Sequence, residues 1–137
     1  MKTSDLRQGN ILQVDNNILI VTGINNNRIY FDEVSRYIAN ASPILITDDW
    51  LKLFGFEQNG WGFDIKFNDE DWYNCYIHWQ DGVTTVSVGE LVEIPHIIPF
   101  IKYVHQLQNI YHSFSNKDFP IDPIAFNSLI VKILNNN

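Results

Sequence analysis

The feature that most constrains the fold is an Asp81-Gly82 pair in the middle of a strand-forming stretch, residues 72–88. Asp-Gly is a strong signal for a two-residue hairpin turn, because a type I′ turn needs positive φ at both central positions. The predicted cross-strand pairs are Gln80–Val83, Trp79–Thr84, Ile77–Val86 and Cys75–Val88. Since side chains alternate along a strand, one face of this hairpin is apolar and the other is polar and aromatic.

The outward face of this hairpin is the clearest candidate for a binding surface. Trp72, Tyr76 and His78 form an aromatic patch next to acidic residues, and protein interfaces favour aromatic anchors with polar rims. The predicted partner-binding residues are Asp64, Asp69, Glu70, Asp71, Trp72, Tyr76, His78 and Asp81. The alternative is that a helix covers this face as well and makes it ordinary core. The sequence leaves both readings open.

Further strands are predicted on the N-terminal side of the hairpin. Residues 6–14, 18–24 and 28–34 are three strands joined by Asn-rich turns, a meander that curls into a partly open, barrel-like sheet. Asn59-Gly60 is a second hairpin dipeptide. The strand after it places Trp61, Phe63, Ile65 and Phe67 on one side.

Three helices complete the predicted fold. Residues 47–55 carry a Thr47 cap, two first-turn aspartates and a terminal glycine. Residues 99–114 repeat apolar side chains at helical spacing, and residues 123–134 follow an Asp122-Pro123 start. The fold class is therefore α+β: an antiparallel meander with the longer helix, and a shorter one near residue 50, packed on it.

Length and composition predict a single domain over residues 1–137. Hydrophobic residues make up 45 % of the chain, enough for a substantial core. The sole cysteine, Cys75, excludes an internal disulfide, and neither a secretory signal nor a membrane-spanning apolar run is visible. These features predict a soluble cytoplasmic protein.

The net charge of −7 is concentrated in the middle of the chain. Residues 31–93 hold twelve acidic and three basic side chains, whereas the rest holds four acidic and six basic ones. Such a centre opposes direct binding to a phosphate backbone and suits a partner with a basic surface. The alternative is that the acidic residues serve solubility.

No residue pattern predicts catalysis, a metal or a cofactor. Cys75 and His78, three apart on a strand, point to opposite faces. His105 and His112 are two helical turns apart, which favours surface or capping roles. Asp64 with the acidic turn at residues 68–71 lacks the calcium-loop pattern, so a solvated turn is the better interpretation.

Three segments together resemble a known group of sequences. They are Leu6-Arg7-x-Gly9-Asn10, Thr47-x-x-Trp50-Leu51-x-x-Phe54-Gly55-Phe56 and Tyr103-Val104-His105-Gln106-Leu107-Gln108-Asn109-Ile110-Tyr111. In order and spacing they resemble small uncharacterised proteins of phages and prophages of Bacteroidetes bacteria. Residues 115–137 go beyond that pattern and are expected to be a C-terminal extension. The resemblance implies only a phage or mobile-element setting, in a bacterial host cell. The group has no established activity or catalytic residues, so no functional residue transfers to this chain by position.

The leading functional hypothesis is a non-enzymatic phage-type protein that binds a host protein. An anti-CRISPR-like inhibitor is its specific form, because RNA-guided nucleases hold nucleic acid in basic channels that an acidic, aromatic surface suits. Two alternatives stay open. One is a nucleic-acid accessory module that uses Lys2, Arg7 and Arg28, and the other is a small hydrolase with a non-contiguous site.

Overall fold

The hairpin around Asp81-Gly82 is present with the predicted register. Strands Tyr76–Gln80 and Val83–Ser87 pair so that Gln80 faces Val83 and Ile77 faces Val86. Asp81 has a φ of 50° and Gly82 a φ of 85°, which are the two positive angles that a type I′ turn requires. The predicted pairing of Cys75 with Val88 lies outside the described residues.

The computed structural model describes residues 1–31, 34–37, 40–67, 76–87 and 96–136. The strands are β1 (Ile11–Val14), β2 (Asn17–Ile20), β3 (Gly23–Asn25), β4 (Arg28–Phe31), β5 (Val34–Tyr37), β6 (Ala41–Ser42), β7 (Glu57–Asn59), β8 (Gly62–Lys66), β9 (Tyr76–Gln80), β10 (Val83–Ser87) and β11 (His96–Ile98). The helices are α1 (Asp48–Leu53), α2 (Val104–Ser115) and α3 (Pro123–Asn135), and a 3-10 turn spans Thr3–Asp5.

The strands form three antiparallel sheets, and the predicted α+β class is confirmed. Their orders are β2-β1-β6, β3-β4-β5 and β11-β10-β9-β8-β7. Neighbours in the five-stranded sheet follow one another in the sequence, as in a meander. None of the sheets closes into a barrel within the described ranges.

The five-stranded sheet buries one face under the helices. Phe63, Ile65, Ile77 and Val86 point to this side and belong to the same apolar cluster as residues of α1, α2 and α3. A second, smaller cluster fills the space between the two N-terminal sheets. The helices therefore pack on the apolar face of the hairpin that the sequence predicted.

The predicted strand 18–24 is divided between two sheets. The Val21 N–H donates to the Asn10 carbonyl, whereas the Thr22 N–H donates to the Tyr30 carbonyl. The chain thus leaves the first sheet and enters the second between these two residues. An apolar run reads as one strand in the sequence, because the run alone does not reveal where the hydrogen-bonding partner changes.

The long helix starts later than predicted, at Val104 instead of near residue 99. The preceding residues pair with strands: His96–Ile98 is β11, and the Ile101 N–H donates to the Gly82 carbonyl at 2.7 Å. Tyr103 forms an isolated bridge with Leu45. These tertiary hydrogen bonds override the helical spacing of the side chains.

Helix α1 matches its predicted apolar face. Trp50, Leu51 and Phe54 are fully buried, and Gly55 has the positive φ of a left-handed C-cap. The expected side-chain cap is wrong, because the Thr47 hydroxyl makes no capping hydrogen bond.

The C-terminal residues are part of the main core. The Phe119 ring stacks on Phe54 and on Tyr111, with centroid distances of 4.3 and 4.1 Å. Helix α3 starts as predicted, with the Asp122 carboxylate accepting the Ile124 N–H. Leu129 is buried in the core and Lys132 pairs with Asp49 at 2.8 Å. The expected extension therefore packs on the rest of the chain.

Candidate functional site

The face of the five-stranded sheet that points away from the helices carries three of the predicted binding residues, Asp64, Tyr76 and His78, and we call it the outer face. The strand register aligns a row of side chains across all five strands. This row comprises Glu57, Asp64, His78, Thr85 and Ile97. Lys66 and Tyr76 form a second pair on this face, two residues along β8 and β9 from the row and away from the hairpin turns.

Asp64 and His78 meet at the centre of the outer face. The His78 Nδ1 lies 2.5 Å from an Asp64 carboxylate oxygen, and the Asn59 amide donates to the other oxygen at 2.7 Å. An ionised carboxylate only accepts hydrogen bonds, so the contact assigns a hydrogen to Nδ1. The side chains are 33 % and 27 % exposed, which leaves the pair accessible from solvent. The pair is therefore fixed in orientation and still open to a partner.

A glycine makes this arrangement possible. A Cβ at Gly62 would lie 2.5 and 2.6 Å from two ring atoms of His78, and 2.8 Å from the Trp79 carbonyl oxygen. The imidazole thus occupies the space of a missing side chain on the neighbouring strand. The sequence analysis missed this role, because nothing local to Gly62 reveals the cross-strand neighbour.

The predicted partner-binding residues divide into two groups. Asp64, Tyr76 and His78 share the outer face, and Asp81 lies in the turn between β9 and β10. The other four, Asp69, Glu70, Asp71 and Trp72, lie outside the described residues. In the described part of the chain the helices pack on the opposite face. The described structure therefore favours an accessible outer face over a covered one.

Trp61 is not on the strand where it was predicted. It lies in the two-residue turn between β7 and β8 and is 91 % exposed. Gly60, with a φ of 62°, is the first central residue of that turn, which is the glycine position of a type II′ hairpin. The predicted Asn59-Gly60 turn is thus one residue early, and the shift moves the indole from the apolar side into solvent.

Apolar side chains are exposed at the end of the sheet where both hairpin turns lie. Trp61, Val83 and Phe100 are 91 %, 42 % and 76 % exposed, and we call them the turn-end patch. Phe100 also has a φ of 64°, an uncommon conformation for a bulky residue. Ile97 is exposed on the adjoining outer face. Exposed apolar side chains grouped in this way are typical of interaction sites.

The charges of the outer face are mixed. Glu57, Asp64 and Asp81 supply carboxylates, and Lys66 lies among them as an exposed base. The strongest acidic run, residues 69–71, precedes β9 and lies outside the described ranges. The negative charge that the sequence predicts for this region is therefore carried only in part by the described face.

Histidine 105 is buried, so the predicted surface or capping role is wrong. It is 4 % exposed, and its Nδ1 has no hydrogen-bond partner in the described part of the chain. Burial lowers the pKa of the His105 imidazole, an effect that the Asp5 carboxylate partly opposes. The helical spacing assigned His105 to the polar side, but the N-terminal segment covers that side of α2.

The neighbouring polar residues of α2 hold the N-terminal segment. Gln108 accepts the Ile11 N–H at 2.9 Å and donates to the Gly9 carbonyl at 3.0 Å. Asn109 accepts from the Asn10 amide and donates to the Asp5 carbonyl, both at 2.8 Å. Three of these four bonds are to backbone groups and one is to the Asn10 side-chain amide, so the role of Gln108 and Asn109 is structural.

Among the described residues, no group of three or more His, Cys, Asp or Glu side chains is arranged to hold a metal ion. The described helices also include none that is long and apolar enough to cross a membrane. Comparisons with protein-family models, curated proteins and solved structures find no match to this chain.

Proposed function

We propose that this protein acts by binding another protein through the outer face and the turn-end patch, without catalysis. The observation that carries the proposal is the exposure of Trp61 and Phe100 at the turn end of the five-stranded sheet and of Ile97 on its outer face. Burying large apolar side chains is favourable, and aromatic residues dominate the energy of protein interfaces. Large apolar side chains that are exposed in the free protein are typical of a surface that a partner covers in the complex.

The sheet supports such binding because it is fixed before the partner arrives. The Trp79 indole N–H donates to the Ile101 carbonyl at 2.8 Å, and the Ile101 N–H donates to the Gly82 carbonyl. These bonds tie the segment that carries Phe100 to the hairpin turn. A preorganised surface loses less conformational entropy on binding.

The class of partner follows from charge and from the phage resemblance. A net charge of −7 with an acidic centre favours a basic protein surface and disfavours nucleic acid. In a phage setting, basic surfaces of host proteins that handle nucleic acid are the obvious targets. We therefore propose a host nucleic-acid-binding protein as partner, and inhibition of an RNA-guided nuclease as the specific form.

The described geometry gives less support to the two alternatives. An Asp–His pair orients the base in many hydrolases, but the His78 Nε2 faces the Gln80 amide oxygen at 3.4 Å and not a nucleophilic hydroxyl or thiol. For nucleic-acid binding, the Arg7 guanidinium is already paired with the Asp118 carboxylate.

The proposal is tested by affinity capture from lysate of a Bacteroidetes host. The bait is the full chain, a Trp61→Ala/Phe100→Ala variant, or an Ile124→Ala variant as matched control, since Ile124 is 77 % exposed on α3. The expected result is one stoichiometric partner retained by the wild type and the control and lost by the double variant. Equal retention by all three baits would exclude the turn-end patch as the binding surface.

A second measurement tests the electrostatic part of the proposal. Reversing the charges at Asp69, Glu70 and Asp71 should weaken capture at low salt, with little difference at high salt, because screening removes the effect of surface charges. Capture that is unchanged at low salt would leave the apolar contacts as the sole basis of binding.

A further inference from the structure

The asparagine at the end of β7 differs from every other asparagine of the chain, because Asn59 alone precedes a glycine. A glycine nitrogen has no side chain beside it to shield it, so Asn-Gly is the sequence in which asparagine is chemically least stable. Gly60 lies in open space, since a Cβ there would have no atom within 4 Å, and its N–H forms no hydrogen bond with another described residue. The nitrogen that can attack the Asn59 side chain is therefore unshielded.

The strand that carries this asparagine is held by few contacts. All three residues of β7 are exposed, and β7 is an edge strand of the five-stranded sheet, paired with β8 among the described strands. Short segments with solvent-exposed hydrogen bonds open more easily than the centre of a sheet. The extended backbone of a strand does not align an asparagine side-chain carbonyl with the next backbone nitrogen. Local opening of β7 therefore gives Asn59 the geometry that attack by Gly60 requires.

One side-chain contact opposes this attack. The Asn59 amide nitrogen donates to an Asp64 carboxylate oxygen at 2.7 Å, and the other oxygen of Asp64 binds the His78 imidazole. The Asn59 side chain must leave this carboxylate before the Gly60 nitrogen can reach it. The same contact makes Asn59 part of the outer face, because it fixes the Asp64–His78 pair from the side of β7.

We propose that Asn59 is a site of spontaneous deamidation, restrained by Asp64, and that the reaction changes the charge and the hydrogen bonding of the outer face. The Gly60 nitrogen bonds to the Asn59 side-chain carbonyl carbon, the bond from that carbon to the amide nitrogen breaks, and the amide nitrogen leaves as ammonia with the Gly60 proton. Water then opens the cyclic imide and yields aspartate or isoaspartate. One water is consumed, one ammonia is released, and nothing is oxidised or reduced.

The product reverses the hydrogen-bonding role of residue 59. A carboxylate replaces the amide donor, so two acceptors would face each other where Asn59 donates to Asp64. Two like charges at hydrogen-bond distance repel, and the new side chain must turn away from Asp64. The Asp64–His78 pair then loses its support from β7, and the outer face gains one negative charge. This added charge favours a basic partner, a consequence that rests on the proposed function.

The reaction is tested on the full chain, incubated at neutral pH and physiological temperature and mapped by peptide mass spectrometry. We expect the peptide with Asn59 to gain about 1 Da, as aspartate and isoaspartate, before any other asparagine reacts. Asp64→Ala should raise the rate about twofold to tenfold, the equivalent of one hydrogen bond, whereas Glu57→Ala, the matched carboxylate on β7, should not. If Asp64→Ala fails to fold by circular dichroism, faster reaction of the urea-unfolded wild type is the expected result. The proposal is overturned if Asn59 reacts no faster than other asparagines, or if neither change raises its rate.

Two further measurements separate this inference from the proposed function. With ¹⁵N-labelled histidine, an aged sample should show new His78 ring signals that grow with the modified fraction, those of Asn59→Asp among them, and unchanged His112 signals. Asn59→Asp should also bind a captured partner about twofold to fivefold more tightly than fresh wild type at low salt, the range expected for one surface charge. Unchanged His78 signals or equal affinity would overturn the effect on the outer face and leave the proposed binding surface intact. Failure to capture any partner would count against the proposed function and leave the modification of Asn59 standing.

Discussion

Two regions of this molecule use polar and aromatic side chains in opposite ways. At the junction of α2 with the N-terminal segment, Gln108 is 4 % exposed and both ends of its amide are bonded to backbone. On the outer face, Tyr76 and His78 are partly exposed. The Gln108 amide at the junction thus completes its hydrogen bonds within the chain, whereas the outer face leaves aromatic and apolar surface exposed to a partner.

The difference shows that a distinctive sequence segment need not be a functional one. The Tyr103–Tyr111 segment is the most specific part of the phage resemblance, and its polar residues bind the segment around Gly9 and Asn10. Two of the three segments that carry the resemblance therefore form one hydrogen-bonded unit. Residues with the greater potential for binding, such as Trp61, lie outside that pattern.

The largest expected effect is at the junction. Gln108→Ala leaves the Ile11 N–H and the Gly9 carbonyl without their partner, and each unpaired buried group costs about 1–3 kcal/mol. We expect the free energy of unfolding to fall by about 3 kcal/mol in urea titrations. Gln80→Ala on the outer face is the matched control and should cost less than about 0.5 kcal/mol. Equal losses in the two variants would remove the distinction between the regions.

A smaller effect is expected where the outer face depends on close packing. Gly62→Ala places a Cβ within 2.6 Å of the His78 ring, so the ring must leave Asp64 or the strands must separate. Overpacking of this kind costs about 1–3 kcal/mol, again measured by urea unfolding. Gly23→Ala is the control, because its Cβ would be 3.8 Å from Tyr30, an ordinary contact. A neutral Gly62→Ala would mean that His78 has room to move.

The buried histidine makes the junction sensitive to pH. Burial lowers the folded-state pKa of His105 below its ordinary value of 6.5, so the unfolded chain binds a proton more readily than the folded chain. Stability is therefore fully present above the unfolded pKa and is lost as the pH falls toward the lowered folded pKa. Thermal unfolding at about pH 7.5 and 5.5 measures this loss, which His105→Gln should reduce. A loss of the same size in the variant would assign it to other groups.

The sequence predicts the structure correctly where one local feature determines many contacts. The Asp81-Gly82 turn determines which residues of the two strands face each other and to which side each side chain points. The register and the two faces of the hairpin were therefore predicted correctly. The apolar face of α1 was also predicted, because helical spacing alone decides which side is buried.

The sequence does not predict features that depend on contacts between residues far apart in the chain. The start of α2 depends on the hydrogen bond from the Ile101 N–H to the Gly82 carbonyl and on the bridge between Tyr103 and Leu45, which no local pattern reveals. The burial of His105 depends on the N-terminal segment crossing the polar side of that helix. The Asp64–His78 pair was predicted only as two members of one region, since their contact needs the β8–β9 register and the space over Gly62.

The smallest effect on stability should come from the residue that matters most for binding. The Trp61 side chain is 91 % exposed in a turn, so Trp61→Ala should change the free energy of unfolding by less than about 0.5 kcal/mol. The same variant should weaken capture of a partner, because truncating an aromatic anchor at an interface typically costs 2 kcal/mol or more, roughly thirtyfold in affinity. Urea unfolding and partner titration on one preparation measure both quantities. A variant that loses stability and keeps its partner would place Trp61 with the structural residues of the junction, and the turn-end patch would lose its main anchor.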